Sequence, residues 1–112
     1  MDNELKFIRK KIADYETKLI NLINDRINLG IDVANIKYKY LENTIDFSSR
    51  NNIMKCITND IVENNIYDRL KENIENENLA NLIIQLYKEY IIPQTKELQI
   101  NILLENHNNR SN

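Results

Sequence analysis

Arg26 and Lys37 stand eleven residues apart in a proline-free stretch. At about 100° per residue that interval returns to within about 20° of one helical face, with Gly30 and Ala34 between them on it. Gly30 is the only glycine in the chain, and a mid-helix glycine costs up to about 1 kcal/mol relative to alanine. Two explanations stand open: close packing of another helix, or a shallow floor with a cation at each end, suited to a small anion lying along the helix. Asn59 and Glu63 share a face at i, i+4, and so do Thr95 and Gln99. Arg9 precedes Arg26 by seventeen residues, hence lies about 25 Å along the axis and about 100° around it. The two arginines cannot grip one small molecule, so if both function, Arg9 serves the equivalent site of a dimer mate. The set comprises cations, one carboxylate, amides and a hydroxyl, without a Ser/His or Cys/His pair or a metal cluster. It suits binding and orienting a dianion and supplies no obvious nucleophile.

Those residues need helices to position them, and the apolar periodicity predicts an all-α chain. From Glu4 to about Tyr40, apolar residues from Leu5, Ile8 and Ile12 through Val33 and Ile36 recur at threes and fours, predicting a helix on the order of 50 Å long. LENTIDFSS breaks the pattern, and SRNNIMKCI reads as a short helix. Thr58-Asn59-Asp60 looks like an N-cap leading into IVENNIYDRLKENI. After the polar ENEN turn, Leu79 to about Glu105 reads as a long C-terminal helix interrupted only by Pro93, the one proline, and residues from about 108 to 112 as a disordered tail. Proline removes a backbone donor and costs about 3 kcal/mol in a helix interior. A local kink there could aim Thr95 and Gln99 inward.

The chain has 112 residues, 42% hydrophobic and 29% charged, with a net charge of −2 and both signs interspersed. One domain over residues 1–112 is expected, with no dominant basic face for nucleic acid or anionic lipid. The opening MDNELKFIRKKIADYETKL lacks an apolar core, and no later run approaches the roughly 20 apolar residues of a membrane span; a cytoplasmic location is expected. Cys56 has no intrachain partner and reads as a small buried apolar residue. His107 lies in a polar tail without ligands at metal spacing, and no metal or cofactor is expected. A first helix of about 37 residues cannot bury its stripe inside a compact monomer of about 13 Å radius, which predicts pairing with a second copy in an intertwined helical-bundle homodimer.

The run IMKCITNDIVENNIYDRLKENI from Ile53 and the run LYKEYIIPQTKELQINILL from Leu86 resemble the catalytic segments of the fungal-type all-α chorismate mutases. The spacing of Arg9, Arg26 and Lys37 in IRKKI…NDRINLGIDVANIK resembles helix 1 of the short bacterial members. The resemblance implies conversion of chorismate to prephenate, a unimolecular Claisen-type rearrangement on the way to phenylalanine and tyrosine, with no cofactor. It implies that Arg26, and Arg9 from the other protomer, bind the two substrate carboxylates with help from Thr95. Lys37 and Gln99 would contact the ether oxygen of the breaking bond, and Glu63, with Asn59 beside it, the ring hydroxyl.

This chain departs from the family pattern in places. Short bacterial members place an acidic pair soon after the helix 1 lysine in a motif like DxxRE, which TIDFSSRNN fits poorly; Asp46 is therefore only a reserve for Glu63. The fungal motif has Glu where this chain has Gln99, as the bacterial enzymes do. The longer fungal enzymes carry an allosteric site for aromatic amino acids, for which this chain is expected to lack room. Two rival functions are an isochorismate pyruvate-lyase-like enzyme with the same class of pocket, and a non-catalytic dimeric helical bundle.

Overall fold

A computed structural model describes residues 2–111, and every element among them is helical, so the chain is all-α. Helix α1, Asp2–Leu41, runs without interruption, as expected for a segment with no proline and a single glycine. At 1.5 Å per residue its 40 residues span about 60 Å, which sets the longest dimension of the molecule, 64 Å. The radius of gyration is 18.5 Å, against about 13 Å for a compact chain of this length.

A 3₁₀ turn at Glu42–Thr44 ends α1. Helix α2, Arg50–Ile57, starts at Ser49, whose hydroxyl accepts from Asn52 N–H at 3.1 Å. Helix α3, Asp60–Asn73, starts at the predicted cap, Asn59. Asn76 caps α4, Glu77–Leu86, by accepting from Leu79 N–H. Each cap satisfies donors that the first helical turn would otherwise leave orphaned.

Pro93 does not break the last helix. A π-helical turn at Tyr87–Ile91 joins α4 directly to α5, Ile92–Ser111, and the Ile92 N–H bonds the Tyr87 carbonyl, five residues back. The wider turn loosens the ladder just before the proline, where the ring would otherwise press on the carbonyl of residue 89. At the position of the expected kink the chain makes a π turn. The tail predicted to be disordered from about 108 is helical as far as Ser111; Asn112 lies outside the described residues.

Contacts between α1 and α5 rise together along both helices, Gly30 with Thr95 and Gln99, Asn35 with Asn106, Glu42 with Arg110, so the two run parallel. The core lies where the C-terminal half of α1, α2 and α5 meet, with Ala34, Ile53, Ile57, Ile100 and Leu103 buried together. Arg50 ties α2 to α5 through Glu97 at 2.8 Å and Asn101 at 3.1 Å. Glu63 meets Lys96 and Tyr67 meets Lys88, so α3 runs antiparallel to the α4–α5 column.

The N-terminal apolar stripe of α1 is left uncovered by the chain's own helices, as expected for a helix of this length: Leu5, Ile8, Ile12, Tyr15, Leu19 and Leu22 are 43–68% exposed, and the buried residues of α1 are Gly30 and Ala34. Cys56, expected to be buried, is exposed, because α2 turns Ile53 and Ile57 inward at i, i+4 and leaves Cys56 on its outer flank.

Candidate functional site

A cleft of about 370 Å³ opens between α1, α3 and α5. From α1 it is lined by Arg26, Gly30, Val33 and Lys37, all within eleven residues on one face. The start of α3 contributes Asn59, Val62, Glu63 and Ile66, and the start of α5 contributes Ile92, Thr95, Lys96 and Gln99. Six of the residues singled out from sequence therefore meet in one place: Arg26, Lys37, Asn59, Glu63, Thr95 and Gln99. Arg9 does not. It lies exposed about 25 Å away along α1.

Three of the polar side chains make defined hydrogen bonds. The Gln99 side chain, 8% exposed, donates its Nε2–H to the Gly30 carbonyl at 2.8 Å. A carbonyl only accepts, so this bond settles which end of the amide faces α1 and leaves one N–H for a ligand. Thr95 is buried and donates its hydroxyl to the Ile91 carbonyl at 2.6 Å; what it offers the cleft is a lone pair. Asn59 Oδ1 accepts from Ile61 N–H and Val62 N–H at 3.1 and 3.2 Å, which leaves its Nδ2 as donor beside the positive end of the α3 dipole.

Glu63 is ion-paired to Lys96 at 2.6 Å, both side chains less than a fifth exposed. Burial first, then the Glu63 charge, pushes the Tyr67 phenol above its ordinary pKa. Lys96 was not singled out from sequence. Its spacing from Gln99, i to i+3, places it on the same side of α5, but only the approach of α3 gives it a carboxylate partner. With Arg26 and Lys37, it makes three cations against one carboxylate in the cleft. Apolar walls from Val33, Ile57, Val62, Ile66 and Ile92 lower the local dielectric and strengthen those charges. Among the described residues no cluster of possible metal ligands occurs, and no helix is long and apolar enough to cross a membrane.

Asp46 stays outside this cleft. It is exposed on the loop before α2, where the Ser48 hydroxyl and backbone N–H donate to it at 2.6 and 3.0 Å and hold its carboxyl below the ordinary value. A second cavity, about 410 Å³, lies at the other end of the α1–α5 seam. There Phe47 stacks on His107 with centroids 4.0 Å apart, Arg110 pairs with Glu42, and the Tyr38 hydroxyl donates to the Asn106 carbonyl. None of the candidate substrate-site residues lines it.

Residues 8–100 match the family described as chorismate mutase type II. The chain belongs to that family. The span matched to chorismate mutase type II contains Arg9 and every polar residue of the cleft, and ends before His107 and Arg110 of the second cavity. Among curated proteins, the chain is similar to a chorismate mutase of Trichoderma parareesei, 28% identical over 105 residues, covering 77% of this chain and 40% of that protein. It is also similar to a chorismate mutase of Saccharomyces cerevisiae, 29% identical over 109 residues, covering 83% of this chain and 43% of that protein. The chain thus spans less than half the length of the curated relatives it matches. No solved structure matches it.

Proposed function

We propose that the chain is a chorismate mutase that works as one domain over residues 1–112 in the cytosol, rearranging chorismate to prephenate. The observation that carries this is the convergence of Arg26, Lys37, Asn59, Glu63, Thr95 and Gln99 on one cleft with excess positive charge, in a chain of the type II family. The rearrangement breaks the ether C–O bond and forms a C–C bond within one molecule, so no atom enters or leaves. It needs no nucleophile. It needs the dianion held in a reactive chair, and donors at the oxygen where negative charge develops.

Arg26 suits one carboxylate through bidentate geometry. Lys37 and the remaining N–H of Gln99 suit the ether oxygen, where loss of one such donor costs about 3 to 4 kcal/mol. Glu63 accepts from the ring hydroxyl, with the Asn59 Nδ2 beside it and Lys96 holding the carboxylate in place. Thr95 contributes its hydroxyl oxygen, and its proton becomes available to a substrate carboxylate only if it leaves the Ile91 carbonyl. Arg9 enters from a second copy. The exposed apolar stripe on the N-terminal half of α1 supports that assembly, because solvent-exposed Leu, Ile and Tyr at helical spacing are the surface a partner helix covers.

Incubation of the purified protein with chorismate, followed by loss of chorismate absorbance and identification of the product, tests the proposal, with isochorismate run in parallel. Prephenate from chorismate is the expected result. Pyruvate released from isochorismate alone would make the protein a lyase, and no turnover of either would leave a helical scaffold.

A further inference from the structure

Gly30 has no conformational need to be glycine. Its φ is not positive, and it sits in the interior of α1 where alanine is the better helix former. What distinguishes the position is the approach of α5. A Cβ built at Gly30 would lie 2.3 Å from Thr95 Cγ2, while the next atoms, Gln99 Nε2 and Thr95 Cβ, stand at an ordinary 3.7 Å. Carbon atoms rest at about 3.5 to 4.0 Å, so one methyl group accounts for the whole collision.

That methyl cannot swing away freely, because Thr95 is buried and its hydroxyl is bonded to the Ile91 carbonyl at 2.6 Å. A rotation about χ1 that moves Cγ2 would break this bond. The remaining relief is separation of the helices. The bond from Gln99 to the Gly30 carbonyl is 2.8 Å long, and a separation of about 1 Å takes it beyond hydrogen-bond range.

We infer that Gly30 is a positioning residue: its carbonyl orients the Gln99 amide toward the cleft, and its missing side chain brings α5 close enough for that bond to form. The role rests on the function proposed above, because it acts through Gln99 on the reacting oxygen. It explains in one stroke why a helix breaker stands opposite Thr95 and Gln99. Gly30 is both the packing glycine and the floor of the cleft, two possibilities that the sequence leaves as alternatives.

The test is a double-mutant cycle of Gly30→Ala and Thr95→Ser, with kcat and KM for chorismate measured well below each variant's melting temperature. Serine keeps the hydroxyl and removes Cγ2. Gly30→Ala in the wild-type background is expected to lower kcat by about 10²-fold, the scale of a 1 Å misplacement. In the Thr95→Ser background the same change is expected to lower kcat less than about threefold relative to Thr95→Ser alone. If Gly30→Ala alone does not fold, the second comparison still decides. A folded double variant that loses about tenfold or more relative to Thr95→Ser overturns the inference. So does a double variant that fails to fold, or a folded Gly30→Ala protein with a lower melting temperature and unchanged kcat. A wild-type chain inactive on chorismate would instead refute the proposed function, so the two failures are distinguishable.

Discussion

Replacing Gln99 with glutamate isolates the chemistry at the proposed reacting oxygen. The wild-type amide has two N–H donors: one bonds the Gly30 carbonyl at 2.8 Å and one remains for the ligand. A protonated glutamic acid has a single donor to serve both. Near pH 5 the variant should therefore lose about tenfold in kcat, the worth of one hydrogen bond. The ionised carboxylate has no donor and sets an anionic oxygen against the Gly30 carbonyl and against the developing charge. Loss of about 3 to 4 kcal/mol there lowers kcat by about 10²–10³-fold.

Burial at 8% exposure and the carbonyl in direct contact favour the protonated acid, against the opposing pull of Arg26, Lys37 and Lys96 across the cleft. With its folded pKa above the ordinary value of about 4.3, the introduced acid makes the variant most stable below that value. Stability is lost as pH rises toward the folded pKa, since the native state binds the proton more tightly than the unfolded state. Wild-type kcat should stay nearly flat from about pH 5 to 9, because the Gln99 amide, unlike a carboxyl, does not titrate. The assay is kcat at saturating chorismate across that range for both proteins, so that altered binding is not mistaken for altered chemistry. Parallel profiles would refute the placement of Gln99 at the reacting oxygen.

Three further outcomes are expected. Arg9→Ala and Arg26→Ala should each be nearly inactive; co-expressed at equal levels with random pairing, they should regain about a quarter of wild-type activity, because half of the dimers are mixed and each has one intact site. Absence of recovery in isolated heterodimers would exclude sharing of Arg9. Asn59→Asp keeps an acceptor for Ile61 N–H and Val62 N–H but removes the Nδ2 donor and adds a negative charge, so KM should rise with the melting temperature held, whereas Asn59→Ala should also lose about 1 kcal/mol of stability on denaturant titration. Leu103→Ala, at a side chain with no exposure, should cost about 2 to 5 kcal/mol in the same titration.

The features readable from the chain alone are those set by short-range geometry. A helix repeats every 3.6 residues, so the shared faces of Arg26 with Lys37, Asn59 with Glu63, and Thr95 with Gln99 follow from spacing. The Asn59 cap follows equally from local chemistry, since its side chain bonds N–H groups two and three residues away. Tertiary structure decided which faces meet, because helix crossings depend on side chains far apart in sequence. The most apolar stripe of α1 remained exposed while Gly30 and Ala34 were buried, as α5 approaches where the side chains are smallest. The same crossing brought Lys96 to Glu63 from 33 residues away and engaged the Gln99 amide with a backbone carbonyl 69 residues distant. Neither bond leaves a periodic trace in the sequence, because each is made by one residue on one helix meeting one on another.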